Sequence, residues 1–290
     1  MIKRNFLRLF NILFALQLLL ILLLGSFGVY RSGLAEVLMP SIIAGGFSWL
    51  LLVFITLRSK QNSTRFYWLG LLQLIACWSI FPLFKAIRIY FYTWSADNLL
   101  YHIDRFLWLG KSLPERAIAL HTPWLSELVS FCYFSFYFLI IGSALFFFLQ
   151  RNISVATGYF TGLMLMYFIG FIGYFSLPAA GPYFAYPELF TYPVHNGAMT
   201  LFLTEIVDKG ITGMDVFPSL HSGITLFIIG FLYKSGYRKI ALCLIPLALG
   251  LIIATLYLHY HYGIDVLLGA VLSIFVLNFI FKNQEGKRWN

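Results

Sequence analysis

Uninterrupted apolar runs constrain this chain more than any other feature, because a stretch of about 18 or more apolar residues is long enough to cross a bilayer. Eight such runs are legible, at roughly residues 10–29, 35–57, 66–84, 127–149, 155–176, 218–233, 240–258 and 263–281, the sixth being the shortest. In hydrocarbon every backbone amide must be satisfied within the segment, so each run predicts a helix. Composition agrees: 60% of the 290 residues are hydrophobic and only 11% are charged, with a mean hydropathy of +0.84. These values exclude an ordinary soluble domain. The expected fold is therefore all-α, a polytopic membrane helical bundle.

A formal net charge of +9 raises the question of nucleic acid, and the placement of the charges answers it. With the N-terminus inside, thirteen of the 20 Lys and Arg residues fall in cytoplasmic segments beside a single acid, Glu285. The outer segments hold the other basic residues and every other acid, so the inner face is near +12 and the outer near −3. That is the positive-inside rule. Both termini are expected in the cytoplasm, the partner is the lipid bilayer, and a nucleic-acid partner is not expected.

Cys77, Cys132 and Cys243 all lie within predicted helices and suggest small apolar side chains rather than a disulfide or zinc framework. Residues 1–35 resemble a signal peptide, with Gly33-Leu34-Ala35 as a cleavage-like site, but a run of about 20 apolar residues is long for that role. It is expected to remain as a helix. The Gly158/Gly162 pair permits close helix contact without implying oligomerisation.

Two long segments interrupt the helices, 85–126 and 177–217, and the charge count places both outside. The first mixes Trp and Tyr with scattered charges, as expected of helices at headgroup level. The second carries Pro178, Pro182, Pro187 and Pro193, which exclude a continuous helix. Of the six His residues, His102, His121 and His195 fall in these loops, whereas His221, His259 and His261 sit at the outer ends of helices.

In "FPSLHSG", Pro218 suits a first helical turn, around which Ser219, His221, Ser222 and Gly223 gather. Free amides and the positive end of the helix dipole make such a turn an anion site. The plainer reading is a Ser219 cap and a structural His. In "LYLHYHYGIDVLLG", His261 and Asp265 are four apart and share one face of the starting helix. A carboxylate there orients one imidazole nitrogen and leaves the other to attack a substrate. An anchoring pair, or one metal ion held by His221, His259, His261 and Asp265, remains open on these residues alone.

"FPSLHSG" followed about 40 residues later by "HYGID" resembles the type 2 phosphatidic acid phosphatase superfamily, whose second motif is Pro-Ser-Gly-His-like and whose third is Ser-Arg followed by His-x-x-x-Asp. The variants "PSLHSG", "LYLHYHYGID" and "SLPAAGPY" are most similar to its inositol phosphorylceramide synthase branch, which would make this a sphingolipid enzyme. The similarity covers roughly residues 66–281, a six-helix catalytic core within 61–290, to which residues 1–60 add a helix pair. The resemblance implies a phosphohistidine mechanism without cofactor or divalent metal. His261 would attack phosphorus, Asp265 would orient it and His221 would protonate the leaving oxygen. Ser219 and the Ser222 and Gly223 amides would hold phosphoryl oxygens, with Tyr183 of "SLPAAGPY" as a further contact.

The departures carry information. Where the phosphatases have Ser-Arg, this chain has Ala254-Thr255, and the first motif lacks its cations. Without bidentate Arg donors a dianionic phosphomonoester loses more binding than a monoanionic diester. Headgroup transfer is therefore favoured, although Lys85, Arg88 or another outer cation could fold back onto the phosphate. Asp104-Arg105 also has the look of a family feature, with no role assigned. The expected activity is lipid phosphotransfer to an alcohol on the outer face. A phosphatase acting on phosphatidic acid or an isoprenyl phosphate is the alternative, and a non-catalytic transporter or scaffold is the remote one.

Overall fold

Satisfying the backbone internally leaves the apolar runs no choice but helix, and a computed structural model of the chain is all-α among its described residues. It describes residues 65–283 apart from Ile80 and Arg151, together with scattered positions between Leu9 and Leu51. The predicted spans at 10–29 and 35–57 fall largely outside the described residues.

From Arg65 onward the helices are α1 (Arg65–Ser79), α2 (Phe81–Phe91), α3 (Asp97–Leu107), α4 (Leu113–Ala117), α5 (Pro123–Leu149), α6 (Ile153–Ser176), α7 (Pro182–Ala185), α8 (Ala198–Gly210), α9 (Leu220–Lys234), α10 (Arg238–Tyr257) and α11 (Gly263–Lys282). Among the described residues, five stretches are long and apolar enough to cross a membrane: Gly70–Ile89 over α1 and α2, then α5, α6, α10 and α11. The sixth predicted span is the 15-residue α9. At 1.5 Å per residue it reaches only about 22 Å, less than the hydrocarbon core.

This short helix is enclosed on several sides, because α10, α11, α6 and α5 all pack on it. Phe227 and Phe231 of α9 meet Tyr159 of α6 and Phe147 of α5 in an aromatic core. Gly162 is needed there, since a Cβ would come within 2.5 Å of the Phe227 ring. One member of the GxxxG pair thus serves packing within the chain. By contrast, Phe131, Leu249, Ile253 and Phe275 on α5, α10 and α11 point outward, as lipid-facing side chains would.

The interfacial helices expected in 85–126 are α3 and α4, while the Pro-rich segment 177–217 contains α7, α8 and the loops beside them. By the direction of the chain, the starts of α5, α9 and α11 and the ends of α6 and α10 lie at one end of the bundle. Both motif histidines are at that end.

Candidate active site

Helix packing brings the two motifs together. Gly223 of α9 faces Gly269 of α11 so closely that a Cβ at Gly269 would stand 2.3 Å from the Ser219 carbonyl. At the same crossing the Ser219 N–H donates to the Asp265 carbonyl at 3.0 Å. The first turns of α9 and α11 are therefore joined backbone to backbone, and the His221 and His261 ring centroids lie 5.7 Å apart.

His261 sits in the turn after α10 and is buried. The Thr255 carbonyl holds this turn by accepting the Tyr260 and His261 amides, both at 3.0 Å. Its Nδ1 lies 3.2 Å from Oδ1 of Asp265, in contact though not aligned as a hydrogen bond. The Asp265 Oδ2 accepts the Tyr262 N–H at 3.0 Å, which fixes the carboxylate. The ring lines a cavity. Burial pushes the imidazole down to about 4, opposed by Asp215 and the Val216 carbonyl, so the ring is neutral at ordinary pH.

His221 is half-buried at the start of α9. Its Nε2 lies 3.2 Å from the Tyr133 hydroxyl, and its ring packs between Tyr133 and Phe136 of α5. Tyr133 was not a sequence candidate, and nothing in its apolar neighbourhood marks it out. Ser219 caps α9, its Oγ accepting from the Ser222 N–H at 3.3 Å, while the Gly223 N–H donates to the Ser219 carbonyl at 3.0 Å. Both candidate phosphate-binding amides are thus engaged within the cap.

A cavity of about 320 Å³ opens beside the pair, and His221, His261 and Tyr183 line it. Tyr183 arrives on a strap: its N–H donates to the His259 carbonyl, and Gly181, at φ +93°, passes so close that a Cβ would meet the Tyr260 carbonyl at 2.4 Å. The cations do not arrive. Lys85 is exposed on α2, and Arg88 donates to the carbonyls of Gly213 and Tyr92; neither lines the cavity. Thr255, at the family's Arg position, turns its hydroxyl back to Ile252.

His259 turns to His121 and Phe190, with ring centroids 4.9 and 4.8 Å away. The four-ligand metal reading therefore does not assemble, and among the described residues no three His, Cys, Asp or Glu side chains are grouped to hold an ion.

The structure also gives roles to loop-segment acids that sequence reasoning left idle. Asp104 accepts the Ile264 amide at 2.8 Å and the Leu113 amide at 3.1 Å, capping the helix that carries Asp265. Burial raises its carboxyl, with these amides opposing. Asp97 accepts the Ala180 and Gly181 amides, both at 2.9 Å, and the Tyr262 hydroxyl at 2.9 Å, so one carboxylate holds the strap against the His261 turn. The "HIDR" stretch was a visible signal for the first; Asp97 had none.

Residues 98–279, more than half of the chain, match the family model described as the PAP2 superfamily. No curated protein and no solved structure matches the chain.

Proposed function

The chain belongs to the PAP2 superfamily, and from that membership we propose that it is an integral-membrane lipid phosphotransferase working through a phosphohistidine. Membership itself supports phosphatase or phosphotransferase chemistry. The observation that carries the finer reading is the pair of imidazoles 5.7 Å apart across the α9 and α11 starts, one of them in contact with a buried carboxylate.

In the first half-reaction, His261 Nε2 forms a bond to phosphorus as the bond to the departing lipid oxygen breaks, and His221 supplies that oxygen with a proton. In the second, an acceptor hydroxyl gives its proton to His221 as its oxygen displaces His261 from phosphorus. Asp265 orients the nucleophile and balances the cationic adduct. Water in place of the alcohol would make the same site a phosphatase. The absence of Lys and Arg from the cavity lining among the described residues favours a diester donor, because a dianionic monoester has the greater need of cations. An inositol phosphorylceramide synthase-like transfer is one form this takes. The active face is the outer one, following the charge distribution of the sequence.

The test supplies purified full-length protein with labelled phospholipid, with and without added alcohols. Labelled phosphodiester product and an acid-labile phosphoryl adduct, both lost in His261→Ala, are expected. Free phosphate as the sole product would sink transfer in favour of hydrolysis, and full activity in His261→Ala would remove the nucleophile.

A further inference from the structure

The cavity beside the imidazoles is lined unlike a phosphate pocket. Tyr133, Tyr137, Tyr174, Tyr183 and Trp78 turn aromatic surface to it, and among the described residues its one carboxylate is Asp215 and no Lys or Arg lines it. Asp215 comes from the loop between α8 and α9. Its Oδ1 accepts the Thr212 hydroxyl, and no basic side chain forms an ion pair with it among the described residues. Arg88 approaches the same loop but bonds the Gly213 carbonyl instead, fixing the backbone without neutralising the acid. Burial raises the Asp215 carboxyl, opposed first by the Thr212 hydroxyl and then by neighbouring backbone amides and by His261 across the cavity, with no Lys or Arg among the causes.

Aromatic faces attract organic cations through their quadrupole, and a carboxyl beside them adds an opposite charge once a bound cation holds it ionised. A bare phosphate dianion would meet like charge here. A neutral polyol would leave the acid uncompensated. We propose that this cavity binds a substituted-ammonium alcohol headgroup, of the choline or ethanolamine class, with the cation beside Asp215 and its phosphodiester at His261. This names the substrate class of the proposed transferase and rests on that reading of the His221 and His261 site. The donor is then a zwitterion whose two charges meet complementary groups, which accounts for a phosphoryl site without an Arg clamp.

Binding tests the headgroup separately from turnover. Full-length His261→Ala protein in maltoside detergent at pH 8 is titrated calorimetrically with short-chain phosphatidylcholine, phosphatidylinositol and phosphatidic acid of matched acyl length. The choline lipid is expected to bind at least tenfold tighter than either. Adding Asp215→Asn should remove at least tenfold of that affinity and leave phosphatidic acid unchanged or improved. Equal affinities, a preference for inositol or phosphatidic acid, or choline-lipid binding indifferent to Asp215→Asn would overturn the proposal. Should Asp215→Asn fail to fold by its melting profile, Tyr137→Leu against Tyr137→Phe decides: only the Leu variant should weaken the choline lipid, and equal binding by both overturns the cage. Wild-type turnover is read in parallel, and its absence alongside a retained choline preference would overturn the transferase reading and leave the headgroup site standing.

Discussion

The proposed nucleophile is neutral before it is asked to attack. His261 is driven down to about 4 by burial, against the opposing pull of Asp215 and the Val216 carbonyl. An unperturbed imidazole, with a pKa of about 6.5, would be about nine-tenths protonated at pH 5.5. The nucleophile-controlled acidic limb of kcat/KM should therefore retain at least half its pH 7.5 value at pH 5.5, and a tenfold fall would restore an ordinary imidazole. Stability follows the same protonation. His259, taken to about 3 by burial and then by His121, and His261 both bind protons more readily when unfolded. Their stabilisation is complete above about pH 6.5 and is lost as pH falls toward 4 and then 3, on the order of 3 kcal/mol for the His261 ring. The melting temperature should fall over that window, and less steeply in His259→Asn, a residue that tolerates the φ of +62° at this position. An unchanged slope in that variant would refute the assignment.

Individual elements are positioned largely by acids on amides. Asp104 caps α11, Asp97 secures the strap, and Glu127 accepts the Met199 and Thr200 amides at the start of α8. An amide left unsatisfied after burial costs about 1–3 kcal/mol. Asp104→Ala should therefore destabilise the protein by about that amount for each freed amide and reduce turnover. Equilibrium unfolding in detergent read beside activity checks this, and wild-type values for both would exclude the capping role. The strap is constrained as tightly by shape. Gly181→Ala places a methyl against the Tyr260 carbonyl at a φ that L residues avoid, so activity should fall at least tenfold, measured beside Asp97→Asn as the same strap released from its other side.

Across the whole molecule, the site exists because α9 and α11 cross without side chains between them. Gly269→Val would force the α11 backbone off the Ser219 carbonyl, separating the imidazoles while leaving most helices intact. Turnover should fall at least a hundredfold with little change in helical circular dichroism. Retained activity would mean the crossing distance is not critical.

The sequence by itself determined the apolar helices from residue 66 onward, the end of the bundle where both motifs lie, and the pairing of His261 with Asp265, because apolarity and four-residue spacing are local properties. It marked α9 as the shortest span, and the structure agrees. Only the tertiary structure decided what surrounds the pair. The Asp104 cap on Ile264 joins residues 160 apart, and the contact from Tyr262 to Asp97 joins residues 165 apart; no periodicity encodes such contacts. The same holds for the cations. Lys85 and Arg88 stand close enough in sequence to suggest a clamp, but helix α2 directs one outward and the other to backbone carbonyls. Which charge lines a cavity depends on where whole helices cross, and burial then fixes how that charge behaves.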